Sequence, residues 1–322
     1  TGGKPRSFPG IEPNGNRIIT SKEAMVLKQR PESMVILGAG AIGMEFAYFY
    51  HTFGTDVTVV EMMDRILPQE DPEISEELQA HYENDGMDIR TGVGAESVDQ
   101  NNGVVNVSLQ NGDELEADAA LVALGLEPNT EDLWDPNLNL RTDDAGWIDV
   151  KDDYRTSLPG VYAIGDVIGA PWLAHVASHE GIKMVDAAFG DDEHYEPLDY
   201  ESVPAGTFCQ PQVASVGLTE EEARNRYENV KIGRFPFQAI GRAVAVGHTE
   251  GFVKLVFAGD YDELVGGHVL GENATELITE LTLARNLEAT PEEIFDTIHP
   301  HPTMSETLME AALDAHDRSI HH

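Results

Sequence analysis

Residues Ser33–Phe49 read SMVILGAGAIGMEFAYF. Met34-Val35-Ile36-Leu37 is a short apolar run of the kind that forms a buried parallel strand. Gly38, Gly40 and Gly43 then make GxGxxG, and Ile42, Phe46 and Phe49 recur at helical spacing. A strand that turns sharply into a helix gathers backbone N–H groups and the positive helix end at one point, where a pyrophosphate can bind. Gly38 permits the tight turn, Gly40 lets phosphates approach the backbone, and Gly43 lets helix and strand pack closely. A second apolar strand, Val57-Thr58-Val59-Val60, ends in Glu61. That carboxylate falls at the ~20-residue offset where an adenosine ribose 2′-OH is read. It repels a 2′-phosphate, so NAD is favoured over NADP, although Arg65 lies close by.

The chain around this unit falls into segments of different style. Residues 1–30 hold a glycine/proline-rich loop and a short helix over about 21–28, closed by Pro31. Asp71-Pro72 opens a helix with an N-cap and a first-turn proline, and Gly86 stops it. A strand is expected at 87–91. Asn102-Gly103 and Asn111-Gly112 divide 95–118 into three antiparallel strands, before a buried strand at 119–124 that ends in Gly125. Further strands are expected at 146–150 and 161–164, and a helix at 173–189. From Val203 the alternation becomes two-fold. Strands are expected at 214–216, 231–236, 252–257 and 263–270. Helices are expected at 220–227 and 275–285, from Thr290-Pro291 onward, and at 304–316.

The 322 residues include 58 acidic and 20 basic side chains, a formal net charge of −38. The acids are dispersed among apolar positions, which describes a folded surface and not a disordered tail. Nucleic acid and anionic membranes are therefore poor partners, and no apolar run nears the ~20 residues of a membrane helix. A cytoplasmic location is expected. Self-repulsion on this scale destabilises a compact chain, and salt shortens the Debye length from ~8 Å at physiological strength to ~3 Å at 1 M. A halophilic protein is the expectation. Its melting temperature should rise between low and molar salt, and a flat or falling response would contradict this. The single cysteine, Cys209, cannot form an internal disulfide or a Cys metal site and is expected to pack as a small hydrophobe.

GAGAIGMEFA, VTVVE, ALGLEPN, GVYAIGDV, WLAHVASHEG, QVASVGLTEEEA and HPHPTMSE occur in this order along the chain. Together they resemble the pyridine nucleotide–disulfide oxidoreductases, in particular the dihydrolipoamide dehydrogenases. The resemblance implies an α/β fold: a Rossmann-like NAD-binding domain, a partial FAD-binding segment and a C-terminal α+β dimerisation domain. It divides the chain into a remnant of an FAD domain (1–30), an NAD-binding domain (31–140), a central FAD-contacting segment (141–202) and a dimerisation domain (203–322). NAD would lie over Gly38, Gly40, Ala41, Ile42 and Gly43, with Glu61 on the ribose. Glu45 would sit near nicotinamide and flavin, and Gly125 under the cofactor. Asp166 would bond the FAD ribityl chain. The helix starting near Leu173-Ala174-His175 would point its N-terminus at the flavin. His301 would be the catalytic acid/base, oriented by Glu306, and would reach the dithiol site of the other subunit of a homodimer. A lipoyl domain and the acyltransferase core of a 2-oxoacid dehydrogenase complex are the implied partners.

Two departures stand out. Leu126 replaces an expected Arg. The N-terminal GxGxxG for the FAD adenosine half, the CxxxxC disulfide and a Lys partner for Glu45 are not in the chain. Thr1-Gly2 also falls where the family reads Ala-Thr-Gly, so a fragment, not competent alone on lipoamide, is expected.

Simpler roles stand beside several of these. Thr303–Glu306 has the form of a capping box. Asp166 could cap the turn that follows it, and Glu45 could serve the helix dipole. The His175 side chain and His299 could be structural. An NADH diaphorase without a disulfide, or a non-catalytic NAD-binding and dimerisation module, are the rival functions.

Overall fold

The computed structural model describes residues 1–190 and 195–321; His322 of the terminal histidine pair lies outside them. The chain divides into two compact units, Thr1–Arg6 with Leu124–Tyr200, and Ser7–Ala123 with Glu201–His322.

In the first unit, strands Gly3–Pro5 and Leu126–Pro128 pair antiparallel, with Lys4 opposite Glu127. A small core of Ile148, Ala163 and Val167 holds the loops together, next to a 3-10 turn at Gly165–Ile168. The helix Ala174–Phe189 follows, with Leu173 at its N-cap. The two strands expected at 146–150 and 161–164 do not form as ladders. They are reduced to isolated bridges, Thr142 to Ile148 and Arg155 to Tyr162. The backbone there is satisfied by single bonds between separate loop segments instead, as when Ile148 N–H donates to Val167 O.

The second unit contains a five-stranded parallel sheet in the order Ile18–Ile19, Ala119–Val122, Ser33–Leu37, Asp56–Val60, Asp88–Arg90. Helices Ala41–Thr52 and Pro72–Asn84 accompany it, and the excursion Ala95–Ala117 forms a separate three-stranded sheet as expected. The residues that mark the first helix are not its buried face. Ile42 and Phe49 are exposed, whereas Gly43, Met44, Ala47 and Tyr50 are buried. Three of those four are small or unbranched, and close seating of a helix on a sheet selects for them. The helix expected over 21–28 is only one turn, Ser21–Ala24, started by a capping box between Thr20 and Glu23 and ended at Met25.

The same unit holds a five-stranded antiparallel sheet ordered Ala205–Thr207, Gln212–Gly217, Glu263–Gly271, Phe252–Ala258, Val230–Pro236. Helices Ala274–Asn286 and Glu306–Asp314 pack on it around Phe235, Leu255, Leu281 and Leu308. One continuous core joins the two sheets, since Val213, Phe252 and Leu270 cluster with Ile36, Val59 and Leu78. The short strand Ala205–Thr207 and the helix Gly241–Val246 carry too few residues to show periodicity in the sequence. No helix among the described residues is long and apolar enough to cross a membrane.

Candidate functional site

The glycine turn has the geometry of a phosphate cradle. Gly38 has φ +97°, a left-handed conformation that a side chain resists. A Cβ on Gly43 would stand 1.9 Å from the Gly38 carbonyl oxygen, so only glycine lets the helix start this close to the strand. A Cβ on Gly40 would meet nothing within 4 Å. The outer side of the turn is thus open, and no side chain caps the helix that begins at Ala41. Its first N–H groups point into that opening with the positive end of the dipole. Ala41 and Ile42 supply two of them.

Glu61 stands directly beside this cradle. Its carboxylate accepts from Ala39 N at 2.7 Å and from Met63 N at 2.8 Å. It thereby fixes the loop and still presents lone pairs outward. Arg65 is occupied by its neighbours: one guanidinium nitrogen lies 3.6 Å from Asp64 Oδ1, and another donates to Pro68 O at 3.4 Å.

Glu45 lies beyond the first helical turn, so a dipole role explains it poorly. Its Oε1 accepts from Phe208 N at 2.8 Å. Phe208, whose residue is 65% exposed, had no signal in the sequence, because the contact spans 163 positions.

A second group of atoms sits at the end of the antiparallel-sheet domain. His301 Nδ1 is 2.9 Å from Glu306 Oε1, while Glu306 Oε2 accepts from Thr303 N at 2.8 Å. Glu306 thus joins both roles, but the capping box itself is altered. Ser305 is the N-cap, Glu306 is the first helical residue, and the Thr303 hydroxyl donates to Pro300 O. Against the cost of partial burial, the Thr303 N–H and the His301 ring hold the Glu306 carboxyl below its ordinary value. The His301 side chain is 78% exposed, so Nε2 faces outward. His299 is locked by Glu280 at 2.8 Å and the Thr297 carbonyl at 2.9 Å. The Glu280 bond raises its pKa, in keeping with a structural role.

Gly125, Asp166, Leu173, Ala174 and His175 all belong to the first unit. Gly125 has φ +90°, and its carbonyl accepts from Arg6 N. Asp166 is in the 3-10 turn Gly165–Ile168. The turn is held from behind by the buried Glu180, which accepts from Gly165 N at 2.6 Å and from the Tyr200 hydroxyl at 2.7 Å. Nothing in the sequence around Glu180 signals this role; on its helix only Val176 and Glu180 are buried. The helix from Ala174 has no side-chain cap, so its first N–H groups are open to a ligand. His175 carries its helix's backbone, accepting from the His179 ring at its carbonyl.

The family model described as pyridine nucleotide-disulphide oxidoreductase matches residues 1–181, and the dimerisation domain of the same family matches residues 203–312. Among curated relatives, the dihydrolipoyl dehydrogenase of Bacillus subtilis is 43% identical over all of this chain and 68% of its own length. That of Rhizobium etli is 43% identical over 99% of the chain and 67% of its own. Among solved structures, LpdA of Mycobacterium tuberculosis superposes with a TM-score of 0.89 at 30% identity, covering 97% of this chain and 68% of LpdA. The HOCl-induced flavoprotein disulfide reductase RclA of Escherichia coli gives 0.90 at 28% identity, covering 97% of this chain and 70% of RclA.

Proposed function

Because the chain belongs to the pyridine nucleotide-disulphide oxidoreductases, we propose that it is the nicotinamide-binding and subunit-contact part of a dihydrolipoyl dehydrogenase that serves a 2-oxoacid dehydrogenase complex. It is an oxidoreductase that works with FAD and NAD, and its dimerisation domain makes it a homodimer. The open glycine turn and the uncapped helix starts at Ala41 and Ala174 suit the phosphates and the flavin edge of those two cofactors. When bound, FAD supplies the two-electron relay between a dithiol and NAD.

The residues divide the remaining work. Gly38 to Gly43 hold the pyrophosphate, and Glu61 takes the ribose hydroxyls. Asp166, seated by Glu180, orients the ribityl chain. Glu45 joins the helix behind the cradle to the Phe208 loop, and so fixes one side of the nicotinamide site. The observation that carries the reading is the His301–Glu306 pair. With Nδ1–H donating to the carboxylate, Nε2 bears the lone pair and can take the proton of a dihydrolipoamide thiol. The thiolate is the nucleophile that attacks a disulfide. Glu306 then stabilises the imidazolium until the proton is returned.

Cys209 is not that disulfide's sulfur. It is buried, and burial pushes its thiol up to about 12. These residues alone therefore bind NAD and dimerise, and turnover of lipoamide requires cysteines that are not among them.

The coenzyme assignment is open to a direct test. Glu61→Gln should weaken NAD binding about 10- to 100-fold, the worth of a hydrogen bond to a charged acceptor. It should also narrow the preference over NADP, with both read by titration calorimetry. Unchanged NAD affinity would remove Glu61 from the site.

A further inference from the structure

Lys254 stands in the middle of the strand Phe252–Ala258, every residue of which is buried. Its ammonium is 3.0 Å from Asp71, 2.8 Å from Glu220 and 3.5 Å from Glu73. Asp71 also accepts from the backbone N–H groups of Glu73 and Glu220, both at 3.1 Å. At the rim, Arg224 holds Glu220 at 2.7 Å and Arg234 lies 3.5 Å from Glu73. Three cations thus meet three carboxylates.

Glu70 is a fourth carboxylate in the same place, and among the described residues no cation pairs with it. It is 9% exposed, and its Oε2 has no hydrogen-bond partner. Ser215, Asp71 and the Cys209 thiol face it. The sheet opposite presents a row across three neighbouring strands, Ser215, His268 and Lys254, paired in register. His268 could have supplied a charge, but its Nε2 is spent on the Leu218 carbonyl at 3.0 Å and its Nδ1 has no partner. Burial pushes its pKa down, so the ring is neutral near pH 7, even with Asp71 and Glu222 nearby. An unpaired buried carboxylate is costly as an anion and cheap as an acid.

We propose that Glu70 is a one-proton latch at the joint between the nucleotide-binding fold and the dimerisation sheet. As the carboxylic acid it lets the N-terminus of helix Pro72–Asn84 seat on the Ser215–His268–Lys254 row, and its ionisation loosens that seat. The segment before Glu70 is tied to the cradle, since Glu70 N donates to Leu67 O and Leu67 N to Ala39 O, and the strand of Lys254 packs against helix Glu306–Asp314, whose first residue holds His301, so the latch makes the rigidity of both depend on pH.

The direction follows from linkage. Burial, with Asp71 adding to it, raises the Glu70 carboxyl from 4.5 to about 7. Between those values the folded chain holds a proton that the unfolded chain has released. Stability therefore falls as pH rises through this window and stays at the lower level above it. Glu70→Gln keeps the shape and removes the charge. In urea unfolding of the full chain, the ratio of folding constants, Glu70→Gln over wild type, should grow on the order of 100-fold between pH 4.5 and pH 8.5. Glu70→Met should show the same trend if the Gln variant does not fold. Infrared spectra of the wild type at pH 6 should contain a protonated-carboxyl carbonyl band that either variant lacks. A ratio that does not change with pH, or no such band, would overturn the proposal.

Discussion

Dihydrolipoamide oxidation by holoenzyme carrying His301→Gln is expected to be slower by about 10²- to 10⁴-fold, the range that one positioned proton-transfer group supplies. Gln can occupy the same space and donate toward Glu306, but it has no nitrogen lone pair with which to take the thiol proton. On the proposed role the loss should fall on kcat, because the side chain would act on a proton and not on the body of the substrate. NADH oxidation by an artificial acceptor that bypasses the dithiol should change little, since the cradle at Gly38–Gly43 and the Glu61 contact are untouched. Equal loss of both activities would mean that His301 holds the fold and does not perform the chemistry. Glu306→Gln should show a weaker form of the same pattern. It keeps the Thr303 N–H bond through its carbonyl but withdraws the charge that steadies the imidazolium. The Glu306 carboxyl lies below its ordinary value, so the pair stays intact down through mildly acidic pH and is lost only as Glu306 protonates.

Lys254→Met should cost about 3–5 kcal/mol of folding stability, the usual penalty for removing one partner of a buried ion pair. The reason is what remains. Asp71 is fully buried, and Glu220 is held against it, so two carboxylates would face each other without their shared cation. Urea unfolding should show a lower midpoint at an unchanged slope. The loss should shrink when Asp71→Asn is added, since the buried anion that Lys254 neutralises is then gone. Equal losses in the single and double variants would show that Lys254 acts through packing alone.

The parts of this protein that were legible in the sequence are those set by neighbours along the chain. Gly38 and Gly43 were readable because a positive φ and a 1.9 Å approach each demand a residue without a Cβ at one position. Asp71-Pro72 was readable as a helix start because capping involves only the next few N–H groups, and Asp71 does accept from Glu73 N. The pairing of His301 with Glu306 was implied by the family resemblance and not by local spacing; it spans five residues, in a short loop that Pro300 and Pro302 restrict. By contrast, the strands expected at 146–150 and 161–164 had suitable residues but no partner along which to form a ladder, so they became single bridges. The apolar spacing of Ile42, Phe46 and Phe49 identified a helix without telling which face it buries, because glycine and alanine at Gly43 and Ala47 give no hydrophobic signal of their own.

By itself the sequence determined the βαβ cradle, its carboxylate Glu61 and the helix start at Asp71-Pro72, since local backbone preference and short-range bonds fix them. Only the tertiary structure decided that Glu45 is tied to Phe208, that Lys254 sits among Asp71, Glu73 and Glu220, and that Glu70 is left without a cation among the described residues. Those contacts join residues distant along the chain, Glu45 with Phe208 and Lys254 with Asp71 among them, and their strength depends on the exclusion of water. Exclusion of water is a property of the packed interior, which no stretch of chain possesses before the two sheets close on one another.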